Sequence, residues 1–87
     1  MVIERFRGGD PLPVYRRFQQ RGRLAPEGLA YVGSWVTTDL QRCYQVMECG
    51  EPALLEVWMA QWRDLVDFEV IPVRTSAETA TLLTPKL

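Results

Sequence analysis

Three glutamates, Glu4, Glu48 and Glu69, stand in segments that otherwise carry aromatic and aliphatic side chains. Strand alternation sorts these segments into phases. One phase collects Val2, Glu4 and Phe6; Tyr31 and Trp35; Tyr44, Val46 and Glu48; and Glu69, Ile71 and Val73. If these phases share a face, carboxylates sit among Trp, Tyr and Phe. A carboxylate desolvated by aromatic rings holds its proton more tightly, and a close like charge pushes the same way. Such a group can act as a general acid or base near neutral pH. Glu48 and Glu4 are the candidate catalytic residues. Trp35, Tyr44 and Tyr31 are the candidate ligand-binding residues, able to stack a flat organic molecule and hydrogen-bond it. The plainer reading pairs Glu4 and Glu48 with Arg5, Arg42 or Arg74, or with the arginines of a second copy, and leaves Glu69 solvated at a sheet edge. It gives the aromatics to a subunit interface, where Trp and Tyr commonly anchor.

Other chemistries find no residues to carry them. The chain has no histidine, which removes an imidazole base, an imidazole metal ligand and an axial haem histidine. Ser34, Cys43 and Cys49 therefore lack a base for a nucleophilic triad. No cluster has metal-ligand spacing, and no cofactor is implied. Gly8-Gly9-Asp10-Pro11 reads as a turn and helix cap, since it lacks the lysine and glycine spacing of a phosphate loop. On one strand Cys43 and Cys49 would lie about 20 Å apart, at ~3.3 Å per residue. A disulfide spans at most about 7 Å between Cα atoms. Both are expected to be reduced, in a reducing, cytoplasmic compartment.

The net charge of −1 is the balance of a basic start and an acidic remainder. Residues 1–24 carry six arginines against Glu4 and Asp10, whereas residues 25–87 hold four basic and nine acidic side chains. An acidic chain overall makes nucleic acid a poor partner. Arg16, Arg17, Arg21 and Arg23 read as the solvated face of a helix. There is no apolar run of about 18 residues to cross a membrane. The opening residues do not read as a signal peptide.

The elements that must position these side chains follow from pattern. Val2, Ile3 and Phe6 favour a strand over about residues 1–7, ended by Gly8-Gly9. Asp10-Pro11 suits a helix start, and Leu12, Tyr15 and Phe18 recur at helical spacing before Gly22. Leu29–Thr37 and Gln41–Cys49 read as a hairpin around Thr38-Asp39-Leu40. Pro52 opens a second helix with an apolar stripe of Leu54, Leu55, Trp58, Met59, Trp62 and Leu65, in which the tryptophans pack the core. A fourth strand is expected over Val66–Arg74. Thr75-x-x-Glu78 then reads as a capping box for a short helix at about 76–83. At 87 residues this is a single domain.

The order is βαββαβ, a ferredoxin-like α+β fold: a four-stranded antiparallel sheet with two helices on one face. The other face would be a large bare apolar patch, which pairing with a second copy would cover. The expected partner is therefore the chain itself, in a homodimer through the open sheet face.

Val2-Ile3-Glu4-Arg5-Phe6, Leu29-Ala30-Tyr31-Val32-Gly33-Ser34-Trp35, Tyr44-Gln45-Val46-Met47-Glu48 and Leu65–Val73 resemble a group of small uncharacterised bacterial proteins. That group is placed in the dimeric α+β-barrel superfamily. The resemblance covers nearly the whole chain and implies the fold and the dimer, but no reaction, because fold alone does not specify chemistry. The superfamily includes cofactor-free monooxygenases, lactone isomerases, stress-response dimers and haem-dependent enzymes. Two functions stay open. One is a dimer that binds a small organic molecule, with Glu48 or Glu4 transferring protons. The other is a non-catalytic interaction or structural module in which dimerisation uses up the aromatic face.

Overall fold

Pairing of the four expected strands builds one antiparallel sheet in the computed structural model, which describes residues 1–87. The strands are β1 (Val2–Phe6), β2 (Leu29–Val36), β3 (Arg42–Cys49) and β4 (Val66–Val70). Their spatial order is β2-β3-β1-β4, so β1 runs between β3 and β4. The helices are α1 (Leu12–Arg21), α2 (Ala53–Ala60) and α3 (Ser76–Leu83). This is the ferredoxin-like α+β arrangement, with α1 and α2 on one face.

Register decides which side chains share a face, because directly opposed residues of neighbouring strands point the same way. Glu4 lies opposite Cys43 on β3 and Phe68 on β4, and Val2 opposite Gln45 and Val70. These residues look toward the helices. Ile3 lies opposite Tyr44, which itself lies opposite Trp35. Those three look away from them. A β-bulge between Tyr31 and Gly33 makes Val32 an extra residue, so Tyr31 opposes Met47 and Gly33 opposes Val46. The bulge puts Tyr31 on the helix face and Trp35 on the open one. The single phase expected from alternation is therefore split. Glu4 and Tyr31 face the helices, while Trp35, Tyr44, Val46, Glu48 and Glu69 do not.

The core has two joined parts. Val2, Leu29, Trp58, Met59 and Trp62 form the larger; Phe6, Cys43 and Val66 form the smaller; Val14 and Phe68 touch both. Helix α1 does not seal this core. Leu12, Tyr15 and Phe18, the stripe expected to turn inward, are half-exposed, and no residue of α1 is fully buried. Val14 alone makes its apolar contact with both parts. The helix is held at its far side instead, where Arg17 donates to both carboxylate oxygens of Asp64 (2.8 and 2.6 Å) and to the Gln61 carbonyl (2.8 Å).

Two boundaries differ from expectation. α2 ends at Ala60, and the backbone continues to β4 through tight turns, with Trp62 N bonding Met59 O and Leu65 N bonding Trp62 O. β4 ends at Val70 rather than Arg74. Its ladder closes with Ile71 N to Met1 O, and Pro72 has no N–H to extend it.

Thr75 caps α3 as expected, its hydroxyl accepting from the Glu78 amide at 3.0 Å. The helix then stands clear of the sheet: residues 71–87 are exposed apart from half-buried Thr79. This arm stretches the molecule to 48 × 31 × 18 Å with a radius of gyration of 15.0 Å. A compact domain of this length would have about 12 Å.

Candidate functional site

Because α1 stands off the sheet, a cavity of about 180 Å³ opens between them. Its floor is Glu4, Cys43 and Gln45 on the sheet, its wall Tyr15 and Phe18 on α1, and its far end Trp58 and Trp62. A cavity of about 150 Å³ accommodates a benzene ring, so one small ring with a substituent matches this space.

Glu4 is 7% exposed at the centre of β1. Its carboxyl makes no hydrogen bond to the protein, yet no sealed side-chain oxygen lacks a partner. Its oxygens therefore open onto the cavity. Burial pushes its pKa from 4.5 up to about 7, with Arg23 pulling modestly the other way. Burial likewise pushes the Cys43 thiol up to about 11, helped by the Glu4 charge, so Cys43 is a poor nucleophile. The Tyr15 hydroxyl is raised above its usual range by burial, with smaller contributions from Cys43, Glu4 and Tyr31.

Arg23 enters from the loop after α1. Gly22, at φ +72°, ends the helix and redirects the chain, and Leu24 follows at φ +62°. The Arg23 carbonyl accepts from both indole nitrogens, Trp58 Nε1 and Trp62 Nε1, each at 3.0 Å. Its guanidinium lies 3.6 Å from the Tyr31 ring centroid and 5.2 Å from that of Phe18. One nitrogen donates to Gln45 Oε1 at 3.2 Å. Gln45 is 3% exposed, and its amide nitrogen is directed at Met47 Sδ, 3.1 Å away. The Tyr31 hydroxyl is 2.7 Å from Ser34 Oγ. Backbone and head of Arg23 are thus both held.

Of the expected site residues, the cavity takes Glu4 directly and Tyr31 as the surface beneath Arg23. Glu48, Trp35 and Tyr44 lie on the opposite face, and Trp35 is 63% exposed there. Periodicity places Arg23 with the solvated arginines of the helix. The Gly22 stop was the signal that it lies past the helix and need not follow that face. Gln45, Cys43 and Ser34 were missed because the bulge at Val32 and the β1–β3 register leave no trace in alternation.

A second hollow of about 280 Å³ lies between α2 and β4. Its charges are already matched, Arg63 with Glu56 and Arg7 with Asp67. Cys43 and Cys49 are free thiols on one strand. No three His, Cys, Asp or Glu side chains converge as a metal site would require. No helix is long and apolar enough to cross a membrane.

Comparison with protein families matches residues 1–87 to a domain of unknown function, DUF3303. Neither the curated proteins nor the solved structures provide a match.

Proposed function

The chain belongs to the DUF3303 family, whose description names no activity, and we propose from the cavity that it binds a small organic molecule of about one ring between the sheet and α1. The supporting observation is a buried carboxyl without a protein partner, opening onto an apolar space of matching size. Glu4, poised near neutrality, gives or takes a proton at the bound molecule without a cofactor. Tyr31 supports the ligand indirectly, through Arg23. A thermal-shift panel of one-ring compounds tests this, since a ligand held at a hundred times its Kd stabilises by about 2.7 kcal/mol. Ser34→Phe, which places a ring in the cavity, should abolish the shifts. Shifts that persist in a folded S34F protein would place binding elsewhere.

We also propose that the protein is a cytoplasmic homodimer of the dimeric α+β-barrel type, joined through the open sheet face. Trp35, most of whose surface is exposed beside Tyr44, favours this, and free thiols suit the compartment. Trp35, Tyr44 and Glu48 then serve the interface. Light scattering should give twice the chain mass for the wild type and the single mass for Trp35→Glu. A monomeric wild type refutes the pairing.

A further inference from the structure

Two polar groups of the cavity lining, the Arg23 guanidinium and the Glu4 carboxyl, have hydrogen-bonding capacity to spare. Arg23 spends one N–H on Gln45, and none of the ion pairs includes its guanidinium. Glu4 lines the same cavity beyond ion-pair distance of Arg23, with no bond of its own. Gln45 Oε1 already accepts from Arg23. Phe6, Phe18 and Trp58 supply apolar ring surface to the rest of the space, where Ser34 and Tyr15 add hydroxyl-bearing side chains. Two separated groups with spare hydrogen-bonding capacity call for one bridging group. It must accept twice, carry negative charge to match Arg23, and sit on a flat apolar body.

Resting on the small-molecule reading above, we infer that the ligand is a monocyclic aromatic carboxylate, its carboxylate bridging Arg23 and protonated Glu4. The guanidinium fork fits a carboxylate, and charge-assisted bonds of this kind are about twice as strong as neutral ones. A cation meets Arg23 as a like charge. A neutral amide forfeits the charge match to Arg23.

The double indole clamp explains how the Arg23 head is kept in place. An arginine on a loop ordinarily loses much rotamer freedom when it binds. Here the carbonyl is fixed by Trp58 and Trp62, and the guanidinium lies against the Tyr31 and Phe18 rings. The two tryptophans are positioning residues for Arg23.

Protonated Glu4 is required, so ligand affinity must depend on pH. The titratable and charged groups around Glu4 are Arg23 on the loop, Tyr15 on α1, Tyr31 on β2 and Cys43 on β3; Phe68 on β4, Trp58 on α2 and Trp62 in the turn after it add no charge. Cys43 and Tyr15 are pushed upward, away from neutrality. Glu4 is left to set the dependence.

Calorimetric titration with benzoate and its neutral isostere benzamide decides the matter. Wild type should bind benzoate at least tenfold more tightly than benzamide at pH 6, and benzoate about tenfold more weakly at pH 8 than at pH 6. Arg23→Gln should erase the preference for benzoate. Glu4→Gln, which keeps a donor, should bind benzoate with no dependence on pH between 6 and 8. Equal binding of benzoate and benzamide by wild type overturns the carboxylate inference and leaves the small-molecule reading standing. If neither compound binds, and the one-ring panel gives no shift, both fall.

Discussion

Replacing Glu4 by Gln should make the protein more stable at pH 8 and change little at pH 4.5. Burial raises the Glu4 pKa from 4.5 to about 7, so the folded state holds a proton that the unfolded chain releases. Stability therefore falls as pH rises through that window, and the loss is complete above about pH 7. At ~1.4 kcal/mol for each pH unit the loss is about 3 kcal/mol. A domain of this length is stable by about 4–13 kcal/mol, so the effect is a large share. Glutamine keeps the shape and has no charge to desolvate. Urea unfolding from pH 4.5 to 8.5 is the assay. With a slope of about 1 kcal/mol per molar urea, the wild-type midpoint should drop by about 3 M and that of E4Q should stay nearly level. The chain has no histidine, so Glu4 is the side chain expected to dominate this range. Parallel midpoints for the two proteins would refute the reasoning, because Glu4 would then be solvated and the cavity floor misplaced.

Asp64 behaves in the opposite sense. Its hydrogen bond from Arg17 holds its pKa below the usual carboxylate value, so its contribution is present above that value and is lost as pH falls below it. Asp64 is well exposed, so Arg17→Ala should cost no more than about 1 kcal/mol, read by urea unfolding, and the part owed to Asp64 should be lost as pH falls through its lowered pKa. Trp58→Phe and Trp62→Phe each leave one indole on the Arg23 carbonyl. The double variant should therefore lose more affinity for benzoate than the two single losses combined, as a calorimetric double-mutant cycle would show. Thr75→Ala removes the α3 cap and should lower far-UV helicity by the share of one short helix. Near-UV unfolding of the tryptophan core should be unchanged, because the arm stands apart from it.

The strands, the two core-facing helices and the capped third helix were legible in the sequence. Their signals are local: β-branched runs, Pro and Gly at boundaries, and Thr75 three residues before Glu78. Glu4 was also legible, as a carboxylate between Val2 and Phe6 on one face of a strand. The partition of the site was not. Alternation gives a phase within each strand, but only register relates one strand's phase to the next, and register is a contact between distant residues. A single extra residue at Val32 reverses the outward order along β2 and sends Tyr31 and Trp35 to opposite faces. Glu4 is thereby joined to Gln45 and Cys43 rather than to Glu48. The length of Arg23 and the redirection of its backbone at Gly22 and Leu24 bring it over Tyr31, where periodicity had left it in solvent. Local sequence set which elements form and which residues could ionise. Tertiary packing, by holding α1 off the sheet, decided which of those residues lost their water, and so which of them can do chemistry.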